Sequence, residues 1–439
     1  MELNRRLSQP SRPYDCFVVE PSSLSVVVIG LGYVGLPLVV GAARSGLSVV
    51  GFDANPSITD GLNSGKSHVD DISDDVVGEV LEMGFTATTN PSCLDQADVV
   101  VICVPTPLDV NGAPDLSAVR AATASVRDHL RVGVLVVLES TTYPGTTDGP
   151  VREILETSGL VAGKDFHLAF SPERIDPGNA VWGLENTPKV VGGLTPECTE
   201  LAADFYGQFV SEIVRVSGPR EAELAKLLEN TYRHVNIALV NELAILSHVL
   251  EVDVWESIEA ASTKPFGFQA FYPGPGVGGH CIPIDPNYLS HHVKSLGHEF
   301  RFVELAQEIS EGMPAYVIDR LERLLDGHAR PLSNARVLLL GLTYKADIAD
   351  DRETPARAIV QGLRQRGACV SGFDPHLSEF VVDDVALDLE EDLVVALRNC
   401  DVAVLLQAHS SIDLKLVVDS APLVFDTRGK VSGANVERL

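Results

Sequence analysis

An apolar run rich in β-branched residues, Ser25–Ile29, leads directly into three glycines with the spacing Gly30-x-Gly32-x-x-Gly35. Such a run is typical of a strand buried on both faces of a parallel sheet. The glycines allow a tight turn and let the next helix pack closely on the strand. A helix to about residue 45 and a second strand ending at Asp53 complete the unit. The sequence therefore predicts an α/β domain of the Rossmann-like, doubly wound class at the start of the chain.

The same turn predicts a dinucleotide site. The free N–H groups and partial positive charge of the helix N-terminus attract a pyrophosphate. Asp53 follows Gly35 by eighteen residues and would accept hydrogen bonds from the ribose hydroxyls. Its charge would repel a 2′-phosphate, so NAD is favoured over NADP. The cofactor contacts predicted in this unit are Gly30, Gly32, Tyr33, Val34, Gly35 and Asp53.

Two further buried strands are predicted at residues 98–103 and 134–139, and each ends in a polar loop. Ligands of open parallel sheets bind at the carboxyl ends of the strands. Pro105, Thr106 and Thr141 in these loops are therefore predicted to contact the cofactor, although loops of this composition also occur as plain turns.

The pattern changes after the first sheet. Residues 221–250 contain no Gly or Pro and carry apolar side chains at helical spacing, so they predict a long helix. Such a helix is either a contact between two copies or a connection buried within one chain. A second strand–helix–strand unit follows, with strands predicted at 336–340 and 368–373 and with Gly341 in its turn, but it lacks the glycine fingerprint. It is predicted to bind a nucleotide through a different loop.

We therefore expect two doubly wound Rossmann-like domains joined by a long central helix. The predicted segments are an N-terminal extension at 1–24, an NAD-binding domain at 25–212, a central helical domain with a cysteine loop at 213–330, and a C-terminal Rossmann-like domain at 331–439.

The cysteine loop, residues 271–285, surrounds Cys281 with Gly and Pro. A cysteine displayed on such a rigid backbone is a candidate nucleophile, provided that a local positive field favours the thiolate. Together with NAD, a nucleophilic thiol predicts oxidation of an alcohol past the aldehyde, through a thioester, to an acid. The alternative is a packing residue in an ordinary two-electron dehydrogenase.

Four further polar residues are candidates for the chemistry. Lys226 and Asn230 lie four residues apart and share one face of the long helix. A lysine there could move a proton or stabilise an oxyanion. Glu173 could activate water and Arg174 could bind phosphate, although Glu–Arg pairs are also common on surfaces.

Composition excludes several classes. The net charge of −28 argues against nucleic-acid binding, which needs clustered Lys and Arg. The seven cysteines are scattered, which fits a reducing cytoplasm and favours neither disulfides nor a metal site. No apolar run is long enough for a bilayer, and no signal peptide is recognised, so neither a membrane nor an export route is expected.

Taken in chain order, these motifs resemble the nucleotide-sugar 6-dehydrogenase family over about residues 25–430. Segments 171–179, 263–268 and 271–288 are most similar to its UDP-N-acetylglucosamine branch. The resemblance implies a four-electron oxidation of the C6 alcohol, in which NAD is used twice and Cys281 carries a thiohemiacetal and then a thioester. It implies Glu173 as the base for hydrolysis and Lys226 as base or oxyanion partner. Asn230 and Asp285 would position groups, and Thr141 would hold a water.

The resemblance also implies the ligand contacts. The nucleotide-sugar contacts are Glu173, Arg174, Lys226, Asn230, Tyr272, Gly274, Gly276, Gly278, Lys345 and Arg428, and Arg352 is an NAD contact. The expected partners are a UDP-sugar and further copies of the chain, as a homodimer or larger homo-oligomer formed through the long helix. UDP-N-acetylglucosamine is the first choice of substrate; UDP-N-acetylmannosamine, UDP-N-acetylgalactosamine and UDP-glucose remain alternatives. A silent nucleotide-sugar-binding protein is the alternative outside enzymes.

Two positions depart from the family pattern. Pro177 stands where UDP-glucose dehydrogenases have a second Glu, and Asp176 is only a possible substitute. Ile58 stands where some members have an Arg near the adenosine.

Overall fold

The computed structural model describes residues 24–109, 112–176, 178–179, 181–279 and 281–439, and for Cys281 it describes the backbone alone. The predicted N-terminal extension, apart from Leu24, lies outside the described residues, and so do Pro177 and His280.

The first domain is built on an eight-stranded sheet. Its strands are β1 (Ser25–Ile29), β2 (Ser48–Phe52), β3 (Thr86–Thr88), β4 (Val99–Ile102), β5 (Leu135–Leu138), β6 (His167–Phe170), β7 (Lys189–Gly193) and β8 (Ile213–Arg215). Its helices are α1 (Gly35–Arg44), α2 (Pro56–Asn63), α3 (Asp74–Glu82), α4 (Ser117–Asp128), α5 (Arg152–Glu156) and α6 (Pro196–Tyr206), with a 3₁₀ helix at Pro91–Gln96 and a π-type turn at Thr147–Val151.

The strand order is β3-β2-β1-β4-β5-β6-β7-β8. All neighbouring strands are parallel except β6 and β7, which are antiparallel. The Val-, Ile- and Leu-rich strands β4 and β5 are buried along their whole length because helices cover both faces of the sheet. This order confirms the predicted doubly wound domain.

The first sheet extends three residues past the predicted boundary at residue 212. β8 begins at Ile213 and pairs with β7, so the first sheet continues past that boundary. The sequence missed β8 because it is only three residues long and lies at the edge of the sheet.

Four helices connect the two sheets: α7 (Pro219–Val249), α8 (Val254–Ser262), α9 (Cys281–Ser295) and α10 (Arg301–Gly327). α7 has 31 residues and begins with Pro219 in its first turn, where the missing N–H costs nothing. Its inner face packs against α9 and α10.

The outer face of α7 is apolar and exposed. We call it the outer stripe; its members are Leu224, Leu228, Tyr232, Leu239, Leu243, Leu246 and Val249, followed by Leu250. Each is between 42% and 76% exposed. The helix is therefore not buried on all sides within one chain.

The second sheet contains β9 (Arg336–Leu340), β10 (Cys369–Phe373), β13 (Asp388–Leu389), β14 (Val402–Leu405), β15 (Val424–Asp426) and β16 (Val436–Arg438), and a small hairpin pairs β11 (Val381–Val382) with β12 (Val385–Ala386). Its helices are α11 (Pro355–Gln365), α12 (Leu393–Asn399) and α13 (Leu414–Ser420). The order β13-β10-β9-β14-β15-β16 is that of a second Rossmann-like domain, as predicted. None of the helices in the described part of the chain combines the length and apolarity needed to cross a bilayer.

Candidate active site

The glycine turn after β1 has the geometry of a dinucleotide-binding loop. Gly30 has a φ of +89°, and its N–H donates to the carbonyl of Phe52 at 2.8 Å. A Cβ on Gly35 would overlap the carbonyl oxygen of Gly30, whereas a Cβ on Gly32 would meet no atom within 4 Å. Gly35 is therefore needed for packing, and the open space at Gly32 fits the approach of a pyrophosphate.

Asp53 connects this turn to the end of β2. Its carboxylate accepts the N–H of Leu31 at 3.0 Å and that of Asn55 at 2.9 Å. The side chain is partly exposed at the carboxyl edge of the sheet, where the ribose of NAD would lie. The described residues therefore fit the predicted NAD site.

The second domain reaches this turn through Arg352. Its guanidinium lies 5.0 Å from the ring centre of Tyr33 and is held by both carboxylate oxygens of Asp350. Burial, together with the carboxylates of Asp70 and Asp350, raises the pKa of Tyr33 to about 12, so the phenol stays protonated. Arg352 therefore lies beside the glycine turn, where its predicted contact with the cofactor would be made, although the two segments are far apart in sequence.

The loops after β4 and β5 border the same edge. Thr106 is buried, Pro105 is exposed and Thr141 is partly buried. Glu223 of α7 binds the second loop: its carboxylate accepts the N–H of Gly145 at 2.7 Å, and the N–H and hydroxyl of Thr147 at 2.9 and 2.7 Å. Sequence reasoning missed Glu223, whose only signal was an acidic residue on the apolar side of the helix.

The inner face of α7 also holds the loops on the substrate side. Lys226 donates to the main-chain carbonyl of Glu173 at 2.6 Å, and Asn230 donates to Asp285 of α9 at 2.6 Å. About three turns further along, Asn241 accepts the N–H of Gly274 at 2.9 Å. Because these side chains follow helical spacing, a single helix positions three separate segments.

Asp285 is 1% exposed, and burial raises its pKa to about 6, although Lys226 and Asn230 both favour its charged form. A carboxyl group with this pKa can accept and release a proton near neutral pH.

The carboxylate of Glu173 lies in a buried ion cluster. One oxygen accepts the N–H groups of Arg174 and Ile175, and the other lies 3.3 Å from the ammonium of Lys189. Lys189 is also 3.1 Å from Glu139, whose other oxygen accepts the hydroxyl of Tyr206. Lys189 and Glu139 were missed because a single charged residue at a strand end carries no motif.

A cavity of about 140 Å³ lies in front of Lys226 and Asn230. Its described lining includes Arg174, Asp176, Lys226, Asn230, Gly278, Gly279, Tyr344 and Lys345, but not Glu173. The cavity joins all three domains because Lys345 pairs with Asp176 across it at 2.7 Å. Five of the predicted substrate contacts line this cavity: Arg174, Lys226, Asn230, Gly278 and Lys345. The other five, Glu173, Tyr272, Gly274, Gly276 and Arg428, are not in its described lining, and the Glu173 carboxylate turns toward Lys189.

The glycines of the cysteine loop lie against the second domain. A Cβ on Gly278 would lie 2.6 Å from Tyr344, and one on Gly274 would lie 2.6 Å from the Arg428 guanidinium. Tyr272 stacks on Trp255, with ring centres 6.1 Å apart, and Gly276 lies close to Pro355. Larger residues could not bring these loops so close.

Cys281 is the first residue of α9. Its side chain, like His280, lies outside the described residues. The N-terminal end of a helix stabilises an anion, which is the field that a reactive thiolate needs.

Within the part of the chain that the structure describes, Asp347, His376 and His409 form the one group with metal-ligand types close together. His409 accepts the N–H of Asp347 through Nδ1 at 2.9 Å and lies 3.1 Å from Asp374 through Nε2. Both ring nitrogens are thus engaged, and no lone pair is left for a metal.

Comparison with protein families gives three matches that follow the domain order. The NAD binding domain of the UDP-glucose/GDP-mannose dehydrogenase family matches residues 24–210, its central domain matches 220–311, and its UDP binding domain matches 338–432.

Individual relatives act on different sugars. UDP-N-acetyl-D-glucosamine 6-dehydrogenase of Pseudomonas aeruginosa is 38% identical over 81% of this chain and 83% of its own length. UDP-N-acetyl-D-mannosamine dehydrogenase of Pyrococcus horikoshii is also 38% identical, over 81% of this chain and 84% of its own. The solved structure of a UDP-D-ManNAc dehydrogenase from Pyrococcus horikoshii superposes with a TM-score of 0.85 at 33% identity, over 94% of this chain and 99% of that one.

Proposed function

The chain belongs to the UDP-glucose/GDP-mannose dehydrogenase family, and on that premise we propose that it oxidises the C6 hydroxyl of UDP-N-acetylglucosamine to the carboxylate through Cys281. Its relatives include a UDP-N-acetyl-D-glucosamine 6-dehydrogenase, a UDP-N-acetyl-D-mannosamine dehydrogenase and an NDP-N-acetyl-D-galactosaminuronic acid dehydrogenase, which supports an N-acetylated sugar. The observation that supports the proposal is the polar inner face of α7, where Asn230 donates to Asp285 of α9 and Lys226 donates to the main-chain carbonyl of Glu173.

The residues divide the work as follows. The glycine turn at Gly30, Gly32 and Gly35 and the Asp53 carboxylate would hold NAD, which would supply the hydride acceptor for both oxidations. Asp285 takes the hydroxyl proton, and Lys226 stabilises negative charge on the C6 oxygen. Cys281 adds to the aldehyde and is released when water cleaves the thioester, so two NADH form for each carboxylate.

Asp285 is better supported than Glu173 as the base for hydrolysis. Its pKa of about 6 lets it be ionised at neutral pH and still accept a proton. Glu173 is instead ion-paired to Lys189, which holds its carboxylate in the charged form. We therefore expect kcat to fall as the pH drops below about 6, and Asp285→Asn to lower it about 100-fold or more.

The stoichiometry of NADH tests the reaction class. Purified protein should form two NADH per sugar, and Cys281→Ser should stall after the first oxidation. One NADH per sugar with free aldehyde would support an ordinary dehydrogenase, and a Cys281→Ser variant with wild-type turnover would refute the thioester.

A substrate panel tests the sugar. The assay compares kcat/KM for UDP-N-acetylglucosamine, UDP-N-acetylmannosamine, UDP-N-acetylgalactosamine and UDP-glucose. We expect kcat/KM to be highest for UDP-N-acetylglucosamine. A higher kcat/KM for another sugar would change the assigned substrate but not the assigned reaction. A protein that binds these nucleotides without NADH formation would be a silent binder.

We also propose that two copies associate through the outer stripe, and that the protein works in the cytoplasm, as its scattered cysteines suggest. Exposed apolar side chains along such a length of helix favour burial in an interface. Leu243→Glu should lower the mass seen by light scattering, whereas Val132→Glu, an isolated exposed residue on the first domain, should not. A monomeric wild type would refute the interface.

A further inference from the structure

We propose that Lys189 is a positioning residue: it locks the Glu173 carboxylate inward, so that the main-chain carbonyl of Glu173 holds the Lys226 ammonium in the active-site cavity. The inference rests on the proposed function, because it assigns Lys226 to the chemistry. It differs from a direct role for Glu173, since it makes the side chain of Glu173 an anchor.

The first step is the identity of the buried charges. Lys189 is 3% exposed and lies between two carboxylates, 3.1 Å from Glu139 and 3.3 Å from Glu173. Its ammonium is also 5.0 Å from the ring centre of Tyr206. Charges so deeply buried are expensive unless each has a partner, and removing one partner leaves the others uncompensated.

The second step is protonation. Burial raises the pKa of Glu173, but Lys189, the N–H groups of Ile175 and Arg174, and Lys226 outweigh it, so the pKa lies below its ordinary value. For Glu139, burial prevails and the pKa is raised. Glu173 is therefore the carboxylate that Lys189 keeps ionised. The titratable and charged groups around this cluster are Cys103, Glu139, Lys189, Tyr206 and Lys226.

The third step is the connection to the cavity. The ionised carboxylate accepts the N–H groups of Arg174 and Ile175, which fixes the turn that starts at Glu173. That turn presents its first carbonyl to Lys226 at 2.6 Å, and its next residues, Arg174 and Asp176, line the cavity. A neutral Glu173 would accept these bonds more weakly and leave Lys226 without a fixed partner.

The test compares Lys189→Met with Glu139→Gln over pH 5 to pH 9 in about one-unit steps. Without Lys189 the Glu173 carboxylate loses its nearest cation, so its pKa rises and the acid limb of kcat moves to higher pH. We expect about a tenfold to 100-fold lower kcat at pH 7, with recovery to within about threefold at pH 9 and little change in KM. Glu139→Gln keeps the Lys189–Glu173 pair and should keep the wild-type limb.

Lys189→Arg should restore most of the activity, and Lys415→Met, an exposed lysine of the second domain, is the matched control. If Lys189→Met does not fold, Lys189→Met/Glu139→Gln removes one charge of each sign and should show the same shifted limb. A kcat lowered by one factor at every pH, or an unshifted limb, would overturn the inference.

A second measurement does not depend on turnover. Infrared spectra of the free Lys189→Met/Glu139→Gln protein, which keeps Glu173 as the one carboxyl of this cluster, should show a protonated carboxyl signal near neutral pH that a further Glu173→Gln change removes. Its absence would refute the positioning role even if wild type oxidised no UDP-sugar, and an inactive wild type with this signal present would refute the proposed function alone.

Discussion

The two Rossmann-like domains contain the same turn, but they use it differently. In the first, Gly30 donates to Phe52 and Asp53 accepts the next N–H. In the second, Gly341, with a φ of +75°, donates to Phe373, and Asp374 accepts the N–H of Leu342 at 2.6 Å. Backbone geometry alone therefore does not decide whether such a turn holds a dinucleotide.

The difference lies in what covers the aspartate. Asp53 is partly exposed at the sheet edge, where a ribose can reach it. Asp374 is 8% exposed, and the fully buried ring of His409 faces it at 3.1 Å. The position that a ribose hydroxyl would take in the second domain is filled by an imidazole, so this turn is structural.

The connections also differ. Between β1 and α1 the chain needs only residues 30–34, whereas between β9 and α11 it uses residues 341–354. The longer loop carries Lys345 to Asp176 and Arg352 to Tyr33, both in the first domain. The second domain thus contributes side chains to the first domain's cleft instead of a second cofactor turn.

The largest effect is expected from Gly35→Ala. The added Cβ overlaps a backbone oxygen that cannot move away, so we expect a loss of about 4 kcal/mol in stability. Gly32→Ala is the matched control, because its Cβ meets no described atom within 4 Å. It should melt like wild type yet bind NAD at least about tenfold more weakly, since the pyrophosphate can no longer approach. If thermal unfolding showed the same decrease in melting temperature for Gly35→Ala and Gly32→Ala, the two glycines would not have these different roles.

The next effect separates the two aspartates. In His409, Nδ1 accepts the N–H of Asp347, so Nε2 carries the hydrogen that faces Asp374. Asp374→Asn would turn an amide N–H toward this N–H and leave both donors without an acceptor. We therefore expect the free energy of unfolding to fall by about 2 kcal/mol, with unchanged NAD affinity. Asp53→Asn should do the reverse, with about tenfold weaker NAD binding by calorimetry and less than about 1 kcal/mol of stability lost. If Asp374→Asn weakened NAD binding in the folded protein, the second turn would not be merely structural.

The sequence predicted the repeated elements because their signals are local. β-branched runs, the spacing of Gly30, Gly32 and Gly35, and a long helix without Gly or Pro each specify an element within a short window. The short edge strand β8 lacked such a window, and it lies just past the predicted boundary at residue 212.

The sequence predicted which residues belong to the candidate site, but it did not predict which atoms these residues contact. Lys226 and Asn230 follow from helix periodicity, but the partner that each meets lies 53 or 55 residues away in the chain. The Glu173 carboxylate turns inward because it pairs with Lys189, which also pairs with Glu139. Lys189 and Glu139 lie at the ends of two buried strands that are distant in sequence, and only the folded sheet brings them together. The seal of His409 over Asp374 was missed for the same reason.

A smaller effect tests the long loop of the second domain. Arg352→Met removes the cation over Tyr33 and should weaken NAD binding about threefold to fivefold. Lys345→Met, seven residues earlier on the same loop, should instead raise KM for the UDP-sugar several-fold and leave NAD binding unchanged. Titration of each ligand against both variants measures this, and a reversed pattern would mean that the loop serves the two ligands differently from our assignment.

The smallest expected effect is on the stability of the fold in acid, and it concerns Asp374, the aspartate that His409 covers. Burial raises the pKa of Asp374, but His409 and the N–H groups of Leu342 and His376 outweigh it, so its pKa lies below the ordinary value. A depressed pKa stabilises the fold above about pH 4, and this contribution is lost as the pH falls through the lower, native pKa. Between about pH 5 and pH 3 the free energy of unfolding of Asp374→Asn should therefore fall by about 1 kcal/mol less than that of wild type. Thermal melts at each pH measure it, with the exposed Asp384→Asn as control; parallel curves for wild type and Asp374→Asn would mean that the seal adds no acid-sensitive stability and that burial alone separates Asp374 from Asp53.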